Sequence, residues 1–368
     1  MRITRIDVFA QRYTIAGGTF SMSGGKSAAQ QDSTIVRVET DGGLVGWGEQ
    51  CGFSPRYLAA YGEGVRSALG LIAPALIGLD PRRVRRVHDA MDSALKGHAY
   101  AKAAIDIACW DLLGRATGLP VRDLLGGSYR EQLPLYIGIG LDTPERMRAA
   151  CERARAAGYR RIQLKIGSDA LTDIARIEAC LEVLDGFERV IADANGFWSQ
   201  HEAARVVAAL NDRDIFFEQP CGTMDQCAAV RRRSSRPFIL DESIESMDDL
   251  LRARQTDAAD AVMLKFSRFG GITPICRARD LAIQLGFAMT IEDSAGGDIV
   301  SAAMAQVGAT IPDESLINSS LIGRMVEERI ATDWSPLDGG GFGTLPSGPG
   351  LGITIDESRL GPPALTFG

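Results

Sequence analysis

Five charged residues recur along this chain at nearly constant intervals: Lys165, Asp193, Glu218, Asp241 and Lys265, separated by 28, 25, 23 and 24 residues. Each stands near the C-terminal end of a short apolar run: RIQLKIG, RVIADANG, DIFFEQP, PFILDES and AVMLKFS. Three carboxylates brought to one place repel unless a cation neutralises them. Oxygen donors without Cys or His suit Mg²⁺, with Mn²⁺ as a substitute. The two lysines are as informative. Only five of the 40 basic residues are lysine, so arginine is the ordinary surface cation here. A lysine desolvated beside a metal is expected to fall below its usual pKa and to accept a proton that arginine could not.

The elements that must position these residues follow from periodicity. Side chains alternate along a strand. In RIQLKIG, Ile162, Leu164 and Ile166 share one face, and Gln163 and Lys165 the other. The same parity groups Asp193 with Ile191 and Asn195, Asp241 with Ile239, and Lys265 with Met263. Beyond Leu133 there are eight such runs: 134–140, 161–167, 189–196, 214–220, 237–243, 261–267, 288–294 and 314–320. Amphipathic stretches such as PERMRAACERARAAG and TPICRARDLAIQLG fill the gaps. This repeat predicts a parallel sheet closed as a (β/α)8 barrel, whose sites form at the C-terminal ends of the strands. No Gly-x-Gly-x-x-Gly follows the first strand, so a dinucleotide fold lacks its main support.

The first third predicts an α+β module. ITRIDVFAQRYTI reads as a strand, and STIVRVETDGGLVGWGE as a hairpin turning at Asp41-Gly42-Gly43. The Gly/Ser-rich stretch between them reads as a loop with Phe20 and Met22 exposed for contact. YAKAAIDIACWDLLGRATG reads as a helix with one buried face, stopped by Gly118 and Pro120. A net charge of −7 argues against nucleic acid as a partner. Seven scattered cysteines without Cys-x-x-Cys suit reduced thiols in the cytoplasm. No signal-peptide core and no membrane span are expected.

In DGGLVGWGE, AKAAIDIACWDLLGRATGLPVRDLLGG, LKIG, DANGFW, FFEQP, LDES, LKFSRFGG and SGPGLGITID the chain resembles the enolase superfamily, muconate-lactonizing-enzyme subgroup. The resemblance implies a capping domain over residues 1–125 and a modified barrel over 126–325. A C-terminal segment, 326–368, would return to the cap. It also implies Asp193, Glu218 and Asp241 as Mg²⁺ ligands, with Glu242 supporting them, and Lys165 and Lys265 as acid/base residues. The shared step of that superfamily is removal of a proton α to a carboxylate through an enediolate. One departure stands out: the subgroup's Lys-x-Lys is Gln163-x-Lys165 here. The His–Asp pair of the mandelate-racemase subgroup is missing, because no histidine follows His201.

Within the subgroup the pattern is most similar to a branch acting on proline derivatives. The reaction this implies is dehydration of cis-3-hydroxy-L-proline to Δ1-pyrroline-2-carboxylate, with 2-epimerisation alongside. The alternative is an epimerase of amino acids, proline betaines, N-acylamino acids or dipeptides. From another class, the alternative is an inactive barrel that binds a metal or an amino acid. LINSSLIG in the eighth run holds no aromatic residue for a quaternary ammonium. A secondary amine with Asp293 as partner is therefore expected. Gln163, Asn195, Phe20 and Tyr57 complete the expected substrate contacts. Barrels of this type are expected to form homo-oligomers.

Overall fold

The computed structural model describes residues 1–337 and 339–368. The N-terminal part is an antiparallel sheet with helices on one side. Strands β1 (Ile3–Thr14), β2 (Gln30–Thr40) and β3 (Val45–Gly52) pair in the order β1-β2-β3, with the turn at residues 41–44 as expected. Helices α1 (Gly62–Ile72), α2 (Val84–Ala94) and α3 (Ala99–Thr117) cover the sheet. A Cβ on Gly48 would lie 1.7 Å from the Ala104 carbonyl oxygen, so strand and helix backbones meet where only glycine fits. Gly118 ends α3 in the left-handed conformation.

Two expectations for this part are corrected. Helix α3 is buried on most sides, including Asp106 and Asp111, because the barrel covers the face that the sheet leaves open. The Gly/Ser-rich stretch forms a small hairpin, Phe20–Ser21 with Ser27–Ala28. Met22 is buried and Phe20 half-buried, because both fold down over the barrel mouth rather than into solvent.

The eight predicted runs all become strands of one parallel sheet: β4 (Ile137–Ile139), β5 (Arg161–Lys165), β6 (Arg189–Asp193), β7 (Phe216–Glu218), β8 (Phe238–Leu240), β9 (Ala261–Lys265), β10 (Ala288–Glu292) and β11 (Leu316–Ser319). They are hydrogen-bonded in sequence order. A bridge between Leu135 and Ser319, with the Tyr136 N–H donating to the Ser319 carbonyl at 3.2 Å, closes the ring. The expected parity holds. Ile162, Leu164 and Ile166 pack in the outer layer against the helices. Ile191, Ile239 and Met263 form an apolar plug inside the barrel with Ala261.

The intervening helices begin where short polar side chains accept from first-turn N–H groups. Thr143, Asp169, Ser199, Thr223 and Ser246 do this for α4 (Pro144–Ala156), α5 (Ala170–Leu181), α6 (Gln200–Ala209), α7 (Met224–Arg231) and α8 (Met247–Gln255). The last two, α9 (Ile272–Gln284) and α10 (Asp298–Gly308), start after Gly271 and Gly297, which carry no capping side chain. Their caps come from the N-terminal domain. Asp106 on α3 accepts from Thr273 N at 2.9 Å. Glu49 on β3 accepts from Gly297 N at 2.8 Å and Val300 N at 3.1 Å. A Cβ on Gly297 would meet the Tyr13 hydroxyl at 2.3 Å. The chain end returns to this domain as β12 (Leu365–Phe367), antiparallel to β1.

Candidate active site

The strand register sets the charged residues side by side at the C-terminal mouth. Lys165 pairs with Asp193, Glu218 with Asp193, and Lys265 with Glu292. Asp241 follows β8 by one residue. All of these side chains are buried.

Lys165 makes a short charge-assisted bond to Asp193 Oδ2. Asn195, held at φ 46°, donates its N–H to Asp193 Oδ1 at 2.8 Å. Its amide joins Asp193 Oδ2 to Glu242 Oε1, at 3.0 Å each. Gln163 Nε2 donates to Glu218 Oε2 at 2.8 Å, while Glu218 Oε1 is buried without a partner. Asp241 accepts from Lys265 at 2.8 Å, Arg268 at 2.6 Å and the Tyr57 hydroxyl at 2.9 Å. Lys265 also donates to Tyr57 at 2.7 Å and pairs with Glu292 Oε1 at 3.0 Å.

Burial, then the charge of Asp193, holds the Glu218 carboxyl far above the usual carboxylate range. For Asp241 burial acts the same way, but Arg268 and Lys265 outweigh it and hold the carboxyl below that range. Burial would lower Lys165 and Lys265, yet facing carboxylates outweigh it, Asp193 and Glu218 for one and Asp241 for the other. Both lie above the ordinary lysine value. Asp193 and Asp241 bond the two ammonium groups directly, while Glu218 acts on Lys165 by its charge and bonds the Gln163 amide.

Lys165, Lys265, Gln163 and Asp293 line one cavity, and Phe20 and Tyr57 from the N-terminal domain roof it. Asp193, Glu218, Asp241, Asn195 and Glu242 are joined to it through the bonds just described. Asp293 keeps close company: its oxygens accept from Ser267 N, Ser267 Oγ and Ser294 N at 3.1, 2.5 and 2.7 Å. The eighth strand supplies no aromatic ring, as expected, but Phe20, Phe53, Tyr57 and Tyr136 surround the cavity from elsewhere. Aromatic faces that a quaternary ammonium would need are therefore present around the cavity, contrary to the expectation from strand eight alone.

Four neighbours were not anticipated: Tyr136, Glu292, Arg268 and Gln31. Parity in AMTIEDS sets Glu292 opposite Ile291, on the side of Thr290, and would have found it. Gln31 lines the cavity and accepts from Gly296 N at 3.1 Å, tying the loop after β10 to the N-terminal domain. No local pattern marks Gln31 or Tyr136.

Among the described residues, no three His, Cys, Asp or Glu side chains stand ready together as a metal cluster. Lysine and arginine nitrogens occupy Asp193 and Asp241 instead. The donor set nonetheless fits a hard divalent cation: three carboxylates on neighbouring strand ends, one with an unpartnered buried oxygen.

Comparison with known proteins decides the family. Residues 4–126 match the mandelate racemase / muconate lactonizing enzyme N-terminal domain, and residues 146–359 the enolase C-terminal domain-like family. The chain belongs to the enolase superfamily. This enolase-superfamily chain is an enzyme, and its barrel and cap match at full length with solved members. A mandelate racemase/muconate lactonizing enzyme from Roseovarius nubinhibens superposes with a TM-score of 0.95 at 38% identity, covering 100% of this chain and 98% of that one. A superfamily member from the same organism complexed with magnesium gives 0.92 at 38% identity, covering 100% and 99%. The cis-3-hydroxy-L-proline dehydratase of Roseibium aggregatum is 44% identical over 100% of both chains. The N-succinyl-L-Arg/Lys racemase of Bacillus cereus is 30% identical over 98% of this chain and 97% of that one. Superfamily members bind Mg²⁺. Among the described residues no helix is long and apolar enough to cross a membrane.

Proposed function

We propose that this chain dehydrates cis-3-hydroxy-L-proline to Δ1-pyrroline-2-carboxylate. The observation that carries the reading is 44% identity over the whole length of a dehydratase of that substrate. The site chemistry supports it. In the cis isomer the hydroxyl and carboxylate share a ring face, so the C2 proton lies on the other. Elimination is then anti, and needs a base on one face and an acid on the opposite one. Lys165 on β5 and Lys265 on β9 are separated by three strands of a closed barrel and line the same cavity.

One lysine, neutral once its facing carboxylate would turn to the cation, takes the C2 proton. The C2–H electron pair becomes the C2–C3 double bond, and the C3–O pair leaves with the hydroxyl. The opposite ammonium supplies the proton that makes it water. The enamine released tautomerises to the imine. Asp193, Glu218 and Asp241 are the residues that would hold Mg²⁺, with Mn²⁺ as a substitute. When bound, the metal offsets the negative charge that grows on the substrate carboxylate as the C2 proton leaves. Gln163 and Asn195 fix the carboxylates, and Glu242 fixes Asn195. Phe20 and Tyr57 exclude water from above, and Asp293 holds the mouth of β9 through Ser267.

The test is proton NMR in D2O with Mg²⁺ and cis-3-hydroxy-L-proline. Loss of substrate with appearance of pyrroline-2-carboxylate is expected, and an inert substrate overturns the reading. The second reading is an epimerase, supported by the racemase relative and by lysines suited to opposite faces. Deuterium entering C2 without elimination would establish it instead.

A further inference from the structure

The cavity holds a carboxylate that neither metal binding nor proton transfer uses. Glu292 ends β10, is 4% exposed, and lines the cavity beside its register partner Lys265. Its Oε1 pairs with Lys265 at 3.0 Å, and its Oε2 accepts the Tyr136 hydroxyl. A carboxylate oxygen has two acceptor directions, so each oxygen can accept once more. Asp293, the other carboxylate on the wall, is engaged by Ser267 and Ser294.

We infer that Glu292 accepts the protonated ring nitrogen of the substrate, with Tyr136 fixing the orientation of its carboxylate. The inference rests on the dehydratase reading, and deepens it by naming the residue that selects a free secondary amine. The nitrogen is bonded to C2, the atom that must stand between Lys165 and Lys265. Glu292 is one hydrogen bond from Lys265, within reach of a substituent on that carbon. A cationic nitrogen placed between two lysines is repelled unless an anion faces it. Its two N–H donors also need acceptors. An N-acyl nitrogen has no charge, and a quaternary nitrogen has no N–H. The carboxylate therefore selects cyclic α-amino acids with a free secondary amine, while the aromatic rings of Phe20, Tyr57 and Tyr136 wall the ring itself.

The test is calorimetric binding of L-proline and of tetrahydrofuran-2-carboxylate, which replaces the ring N–H2⁺ by oxygen, to the Mg²⁺-loaded wild type and to Glu292→Gln. The amide keeps the shape and an acceptor for Tyr136. Expected is a tenfold or greater rise in Kd for L-proline, and in KM for cis-3-hydroxy-L-proline, with the oxygen ring within twofold. Glu292→Asp should recover part of the loss, and Tyr136→Phe should shift proline alone by a smaller factor. An equal rise for both ligands, or an unchanged KM with a fallen kcat, overturns the inference while wild-type turnover keeps the dehydratase reading intact. A wild type inert toward cis-3-hydroxy-L-proline overturns both.

Discussion

The Tyr57 hydroxyl joins Asp241 to Lys265, donating to one at 2.9 Å and accepting from the other at 2.7 Å. A residue of the N-terminal domain thus completes the hydrogen-bond set of a barrel lysine. Tyr57→Phe should lower kcat by about tenfold, through loss of one oriented bond at a proton-transfer group. The fold should lose only about 1 kcal/mol, because Arg268 and Lys265 still satisfy Asp241. Steady-state kinetics beside a thermal melt separates the two effects. A large stability loss would make Tyr57 a structural residue.

Lys165→Ala should cut turnover by about 10² to 10⁴. Mg²⁺ affinity should hold or strengthen, because the cation now sitting on Asp193 is gone. Turnover assays and titration calorimetry measure the pair. A variant that keeps its activity would remove the acid/base role.

Mg²⁺ should raise the melting temperature of the wild type, by about 2.7 kcal/mol of stability at a hundredfold excess over Kd. Glu218→Gln should lose most of that gain. The gain should also shrink on acidification, because burial and Asp193 raise the Glu218 pKa and protons compete with the metal. Melting curves with and without metal across pH test this. Equal gains in variant and wild type would place the metal elsewhere.

Asp293 gives a pH test independent of metal. Its carboxyl is pushed up to about 6, chiefly by burial, against an unfolded value near 3.8. The folded state therefore holds the proton more tightly. The resulting stability is fully present below about pH 4 and is lost as pH rises through about 6. Asp293→Asn should remove that slope, on the order of 2–3 kcal/mol between the two limits. Denaturant melts in steps from pH 4 to 7 measure it, and parallel curves for variant and wild type would refute it.

Much of the barrel was legible because a strand's period is two and its charge stands out against apolar neighbours. That is how Lys165, Asp193 and Asp241 were placed on the inner face from Ile162, Ile191 and Ile239. Glu292 is legible by the same rule, one residue before Asp293 in the same run. Tyr136, Gln31 and Arg268 were not legible. They reach the site through ring closure, through the start of strand β2 in another domain and through a short helix after β9, and none leaves a local period.

Glu49 and Asp106 belong to the N-terminal domain yet finish helices of the barrel. The groups that start these helices and the rings that roof the cavity therefore travel together in one domain. A chimera that takes another relative's cap to change its substrate also imports the groups that start α9 and α10. It should remain soluble only when the donor supplies carboxylates at those two positions. Exchange of the cap is thereby expected to succeed only between relatives that share this pair of carboxylates.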